Sequence, residues 1–269
     1  MTAQDHPTAL KGQDAPSIAR IYDYYLGGSH NNPADRQTAD EIAAVLPELP
    51  LLLRANRAFL RRSVHFLAGA GIRNFLDLGS GIPTAGNVHE IAQEYDPTAR
   101  VVYVDNDPVA VAESRILLDG NDRCAAIEGD LREPAKILSD PQVNRLLLLD
   151  LGEPVAFLMN SVLHFVLDDS DAAALVATYI DALPSGGYFG VSHAGGSTIR
   201  PDILGQATET YSRSVSPMKL RSPEQLRDML VGLDLVEPGV VHCPDWRPDP
   251  GAVKESRPLP QICAVGRKP

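Results

Sequence analysis

The feature that most constrains this chain is an apolar run ending in small residues, Asn74-Phe75-Leu76-Asp77-Leu78-Gly79-Ser80-Gly81-Ile82-Pro83. Its apolar part predicts a buried strand, and the glycines let the backbone beyond it approach a ligand without side-chain obstruction. A second run, Val101-Val102-Tyr103-Val104, is rich in β-branched residues and terminates in Asp105, one strand–helix–strand length beyond Asp77. Both acids then fall at the carboxyl ends of neighbouring parallel strands, where open α/β sheets bind ligands. This arrangement predicts an adenosine-containing cofactor.

The glycine pattern bears on which one. A pyrophosphate-binding turn requires a third small residue three positions after its second glycine, and here that position is Thr84, preceded by Pro83. An NAD-dependent oxidoreductase is disfavoured on that ground. A cofactor without phosphates needs no anion cradle, and S-adenosylmethionine asks instead for small residues near its amino-acid part and an acid on its ribose hydroxyls. Gly79, Ser80 and Gly81 meet the first demand, with Asp77 beside them, and Asp105 with its neighbour Asn106 meets the second. A carboxylate bonded to a ribose hydroxyl contributes roughly 1.5–3 kcal/mol, enough to orient the nucleoside.

A third short strand, Cys124-Ala125-Ala126-Ile127-Glu128, runs into Gly129-Asp130-Leu131-Arg132, where Asp130 is placed to accept from the adenine amine. The order Asp-Leu-Gly-Ser-Gly, Val-Asp-Asn-Asp-Pro, Glu-Gly-Asp-Leu-Arg, then an apolar strand ending Met159-Asn160-Ser161-Val162-Leu163-His164-Phe165, resembles a class I methyltransferase. Leu183-Pro184-Ser185-Gly186-Gly187-Tyr188-Phe189 is similar to that superfamily's turn into its fifth strand. Two further segments, Ile18-Ala19-Arg20-Ile21-Tyr22-Asp23-Tyr24-Tyr25-Leu26-Gly27-Gly28-Ser29-His30-Asn31 and Arg54-Ala55-Asn56-Arg57-Ala58-Phe59-Leu60, resemble a bacterial family of S-adenosylmethionine-dependent methyltransferases of unassigned substrate. The likeness covers the chain from Pro16 to Pro269. It implies an α/β fold with a Rossmann-like, mostly parallel sheet, an antiparallel last strand and an N-terminal helical cap. It also implies S-adenosylmethionine as cofactor, S-adenosylhomocysteine as product, and contacts to the cofactor from Leu131, Asn160 and Ser161. Nucleobase and glutamine amino-methyltransferases resemble one another in carrying Asn-Pro-Pro-Tyr after the fourth strand. This chain has Asn160-Ser161-Val162-Leu163, which points to a small-molecule acceptor entering beneath Asp202–Gly232, with oxygen and nitrogen acceptors equally open.

The chain divides into a polar tail at 1–15, expected to be disordered, and a single domain at 16–269. Within that domain we expect a helical cap or lid at 16–70, a cofactor-binding core at 71–193, and substrate-side helices with a final strand pair at 194–269. Strands are expected near Phe75–Leu78, Val101–Asp105, Ala125–Glu128, Val155–Met159 and Tyr188–Ser192. Helices are expected near Leu51–Leu67, Gly86–Tyr95, Pro108–Leu118, Pro134–Leu138, Ser170–Leu183 and Asp202–Ser212. Ser222-Pro223-Glu224-Gln225 reads as a capping box opening another helix. Strands near Leu235–Val241 and Ile262–Gly266 should pair antiparallel, joined by a Pro-rich loop that holds Trp246.

Tyr22, Tyr24 and Tyr25 precede Gly27-Gly28, a combination that suits a hinged lid. Tyr22 and Tyr25 would cover the cofactor, with Gly28 at the hinge and His30 and Asn31 at the lid's edge. Alternatively, the tyrosines dock this helix on the core with their hydroxyls at the rim. Methyl transfer asks mainly for positioning, because the sulfonium is already activated. An acceptor that must lose a proton needs a base, for which His164 and His193, following the fourth and fifth strands, are the candidates. Each also reads as a structural hydrogen-bonding residue.

With 35 acidic against 24 basic side chains in 269 residues, the net charge of −11 disfavours tracking a nucleic-acid backbone. Arg54, Arg57, Arg61 and Arg62 crowd one stretch at helical spacing, either as an anion-binding patch or as a solvated face pairing with nearby acids. The three cysteines make no Cys-x-x-Cys pair, no metal site is suggested, and no window approaches the ~20 apolar residues of a membrane span, so a cytoplasmic, soluble protein is expected. A regulator that binds S-adenosylmethionine or S-adenosylhomocysteine without turnover would share these features.

Overall fold

The computed structural model describes residues 16–82, 86–149, 152–195, 205, 209, 212, 216–252 and 259–269. The expected tail, Pro83 and Thr84 of the glycine turn, and almost all of the helix expected around Asp202–Ser212 lie outside the described residues.

Three helices come first: α1 (Ile18–Tyr25), α2 (Pro33–Val45) and α3 (Leu49–Gly69). The second starts where it does because Asn32 and Asp35 form a reciprocal capping box, each side chain accepting the other's backbone N–H, and Pro33 occupies the first turn. Strands and helices then alternate as β1 (Asn74–Leu78), α4 (Val88–Tyr95), β2 (Arg100–Asp105), α5 (Pro108–Leu117), β3 (Cys124–Glu128), α6 (Pro134–Leu138), α7 (Pro141–Leu147), β4 (Val155–Asn160), α8 (Asp169–Ala182) and β5 (Tyr188–Ala194). The last third holds α9 (Pro223–Met229), β6 (Asp234–Leu235), β7 (Val241–His242) and β8 (Gln261–Arg267).

The sheet runs β3-β2-β1-β4-β5-β8-β6, with β7 also pairing to β8. Strands β1 to β5 are mutually parallel, whereas β8 is antiparallel to β5, β6 and β7. Reversal of order on either side of β1 sets the ends of β1, β2 and β4 around one crevice, the topological switch point of an open α/β sheet. Each of the first five strands lies within two residues of its expected position. The strand expected near Leu235–Val241 forms as two short pieces, β6 and β7, because Pro238 has no N–H to donate and Gly239 takes a positive φ of 82°.

Alternate residues of each strand feed opposite faces of the sheet. Leu76, Leu78, Val102, Val104 and Phe157 pack with Val143 of α7, Val176 and Tyr179 of α8, and Leu226 of α9. Phe75, Val101, Tyr103, Ala156 and Leu158 pack with Phe59, Val64 and Leu67 of α3, Ile91 of α4, and Trp246. Trp246 is thus fully buried, edge-on to Phe59. Asp77 belongs to the five-residue β1 strand whose residues are all buried. By the two-residue repeat it shares Phe75's side of the sheet, toward α3.

Candidate functional site

The carboxyl ends of β1, β2 and β4 open into a cleft of about 490 Å³, bounded by α1 and α3. It brings together Tyr22, Asp77, Gly79, Ser80, Gly81, Asp105, Asn106, Asp130, Leu131, Asn160 and Ser161 from the sequence-derived set. Gly79 and Ser80 both donate their N–H to the Val104 carbonyl, at 2.8 and 3.1 Å, and Gly81 donates to Asp105 Oδ2 at 2.7 Å. All three amides are therefore spent inside the protein. A turn of this kind approaches a ligand closely but offers no cradle to a pyrophosphate. Gly79 is required sterically as well, since its φ is +71° and a Cβ there would lie 2.5 Å from Val162 Cγ2.

Asp105 accepts from Gly81 and, through Oδ1, from the Asp107 N–H at 2.9 Å, which fixes its carboxylate at the cleft's edge. Burial raises its pKa, and these backbone bonds oppose the rise. Burial also pushes Asp77 up to about 7, with the Arg57 guanidinium opposing and Asp105 adding to the shift. Asp130 is held below its ordinary range chiefly by the side chain of Arg132, which bonds both carboxylate oxygens. At the end of β4, both amide atoms of Asn160 are buried without a partner. Ser161 takes a left-handed φ of 52°, fixed by its N–H donating to Ser192 and its Oγ accepting from Gln261 at 2.6 Å.

Helix α1 is clasped from both sides. Ser17 Oγ donates to Asp107 Oδ2 at 2.6 Å and Ser17 N to Asp35 Oδ1 at 2.9 Å, while Arg20 Nε reaches Asp35 Oδ2 at 2.7 Å. Tyr22 lines the cleft, and its hydroxyl accepts from Asn56 Nδ2 at 2.9 Å and donates to the Leu53 carbonyl. Covering the cleft and docking on α3 are thus one arrangement for this residue. Sequence reasoning missed Ser17, Arg20, Asn56 and Asp107, which also line the cleft, and had Arg57, another lining residue, only as one of four arginines forming either an anion-binding patch or a solvated face. Asn56 and Arg57 lay inside a segment already singled out, but only the orientation of α3 shows that they turn inward.

Six expected site residues lie elsewhere. Tyr25 turns toward α2, where its hydroxyl donates to the Ala39 carbonyl at 2.5 Å. Gly28, His30 and Asn31 build a turn around the buried Asp23: its Oδ2 accepts from His30 N and Asn31 Nδ2, and a Cβ at Gly28 would lie 1.9 Å from Oδ1. His30 Nδ1 is 3.1 Å from Glu113 Oε2, and His30 and Asn31 line a second, more open cavity beside α5. The two histidines expected as bases do not reach the cleft either. His193 is fully buried, its Nδ1 donating to the Ala194 carbonyl at 2.6 Å and its Nε2 accepting from Arg221 Nη1 at 3.0 Å. Burial pushes its pKa down to about 4, helped by Arg221 and opposed by that carbonyl. His164 is buried against it, and burial, then His193 and Arg221, hold it well below the imidazole range. Both are buried in the packing and neither lines the cleft.

A family model for S-adenosyl methyltransferases matches residues 4–269. The chain belongs to this family. It is an S-adenosylmethionine-dependent methyltransferase. Among solved structures, this methyltransferase is similar to a DUF574-family protein from Streptomyces avermitilis, with 41% identity over 96% of this chain and 99% of the other and a TM-score of 0.89. A candidate methyltransferase from Thermobifida fusca shares 37% identity over 96% and 97% of the two chains, with a TM-score of 0.88. A mitomycin 7-O-methyltransferase shares the fold at 19% identity over 78% of this chain and 54% of the other, with a TM-score of 0.50. No functionally curated protein matches the chain.

The residues present suit the cofactor that the family implies. The spent amides of the glycine turn match a ligand without phosphates, the Asp105 carboxylate retains lone pairs for ribose hydroxyls, and the unpartnered Asn160 amide supplies a donor and an acceptor. Among the described residues no group of three or more His, Cys, Asp or Glu side chains is placed to hold a metal ion, and no helix is long and apolar enough to cross a membrane.

Proposed function

We propose that this methyltransferase acts on a small molecule carrying an oxygen or nitrogen acceptor, with Asp105 and Asn106 holding the ribose end of S-adenosylmethionine. The observation that carries the reading is the glycine turn, whose three amides are all bonded within the protein beside a carboxylate fixed for a nucleoside. The cofactor, when bound, supplies an activated methyl group. The chain's part is to orient and to exclude water: Val162, Phe165 and Val166 present an apolar wall beside Asn160, and α1 limits access from above. Asp130 and Leu131 complete the adenine end of the cleft. In this scheme residues 16–70 form the cap, 71–193 the cofactor core and 194–269 the acceptor side. A net charge of −11 supports an acceptor other than nucleic acid, and three free cysteines fit a reducing cytoplasm.

The test is to incubate the protein with methyl-labelled S-adenosylmethionine and a panel of small phenols, amines and carboxylic acids, measuring S-adenosylhomocysteine release and label transfer. Acceptor-dependent release with label on a small molecule is the expected result. Label appearing only on nucleic acid or protein would contradict the small-molecule assignment.

A further inference from the structure

No residue of β8 lines the cofactor cleft, yet one β8 side chain reaches the turn that leaves β4. Gln261, 4% exposed, donates its Nε2 to Ser161 Oγ at 2.6 Å and lies 3.4 Å from Asn56 Oδ1. Strand register sets it opposite Ala194 of β5, and so on the same face as Ser192, whose Oγ accepts from the Ser161 N–H at 3.0 Å and donates to Asn56 Oδ1. Ser161 is thus held at its amide and at its hydroxyl by two side chains that do not themselves line the cleft. Its φ of 52° lies in the left-handed region, where an L side chain is strained, and of the described non-glycine residues with positive φ only Ser161 lines the cleft. The residue before it, Asn160, lines the cleft with both amide atoms buried and unpartnered, so the path of the chain at Ser161 fixes where that amide stands.

We infer that Gln261 is a positioning residue of the methyl-transfer site: it does not meet the ligand, and it holds Ser161 in the left-handed conformation that keeps the β4 turn ready for binding. The inference rests on the cofactor reading above and adds to it a residue 100 positions along the chain that sets how far the cleft is preformed. Without the Gln261 bond the strained turn relaxes in the empty protein, and a ligand must restore it. Affinity then falls in proportion to the fraction of molecules that keep the competent turn. A residue with a β-carbon is disfavoured in the left-handed region by a factor of about 5 to 30, whereas glycine adopts it freely and would need no such support. The arrangement also explains how an antiparallel strand contributes to a site otherwise built at the ends of parallel ones: β8 acts on the cleft through Ser161 and Asn56, which both line it.

Calorimetric titration of the full chain with S-adenosylhomocysteine tests this role. Gln261→Met, which keeps the length of the side chain and removes its hydrogen bonds, should weaken binding by about 5- to 20-fold. In a Ser161→Gly background the same substitution should change affinity by less than about twofold, because the turn there carries no strain to hold. A part in the fold alone would lower the melting temperature and leave affinity per folded molecule unchanged, and that result would overturn the inference. An equal loss in both backgrounds would overturn it as well, since Gln261 would then act through something other than the conformation of Ser161. If Gln261→Met does not fold, Ser161→Ala and Ser161→Gly replace it. Both lose the hydroxyl, but Ser161→Ala retains a β-carbon and should bind at least about fivefold more weakly than Ser161→Gly; equal affinities would overturn the role of Gln261 while leaving the nucleoside site standing. Absence of binding by the unaltered protein would overturn the nucleoside site and the positioning role together.

Discussion

A carboxylate at the end of a fully buried strand must find a partner or hold a proton, and Asp77 is poised between the two at a pKa of about 7. In the unfolded chain an aspartate titrates near 4, so between that value and 7 the folded form binds more protons than the unfolded one. Stability contributed by the neutral acid is therefore present at low pH and is lost as pH rises through 7. A ligand ammonium that requires the charged form reverses the preference. S-adenosylhomocysteine affinity should accordingly rise with pH, by up to about tenfold per unit below the folded-state pKa, and level off above it. Asp77→Asn should flatten the profile measured by calorimetry. A profile unchanged by that substitution would assign the titration to another group. Burial raises Asp105 as well, and the backbone N–H groups of Asp107 and Gly81 oppose that rise.

At the scale of elements, the segment after β4 is organised by one buried side chain. Arg221, 1% exposed, donates to the Leu163, Val166 and Asp168 carbonyls, to Asp169 Oδ1 at 2.9 Å and to His193 Nε2. It ties the start of α8 to β5. Arg221→Met would strand those acceptors, and we expect a loss of roughly 3–5 kcal/mol in chemical denaturation, with S-adenosylhomocysteine affinity per folded molecule retained. A loss below about 1 kcal/mol would show that water replaces the guanidinium there.

This anchor also shows what the sequence could and could not reveal. The ends of β1, β2 and β3 were legible because their apolar runs stop at a Gly or an acid, and α9 because Ser222 and Gln225 cap it reciprocally. Gly79, Ser80, Gly81, Asn106, Asp130 and Leu131, which follow β1, β2 and β3 into the cleft, were legible for the same reason. His164 also follows a strand end and His193 sits near the end of β5, yet His193 is bonded by Arg221, a partner far along the chain that no local pattern announces, and His164 is buried against it. The turn Gly28–Asn31 reads as a lid edge in sequence. Asp23, a short way back on α1, gathers its donors into a scaffold instead. The same limit left Arg57 undistinguished within its cluster, since four arginines at helical spacing do not say which one turns toward the cleft.

For the whole molecule, two apolar layers flank a sheet whose strand order reverses around β1, and the cofactor cleft sits at that reversal. Core and cleft are therefore built from the same strands: alternate residues supply packing, and the residues just past the strand ends line the cleft proposed for the cofactor. Helix α1 bounds the arrangement, with Ser17 bonded to Asp107 and Tyr22 to Asn56, so this helix is fastened to the β2–α5 corner and to α3. The most direct measurement of this account is calorimetric titration of the protein and of Asp105→Ala with S-adenosylhomocysteine. The account predicts micromolar binding, about −8 kcal/mol, weakened by roughly 1.5–3 kcal/mol in the variant without change in melting temperature beyond a few degrees. Absence of binding, or equal affinity in protein and variant, would contradict the placement of the cofactor in this cleft.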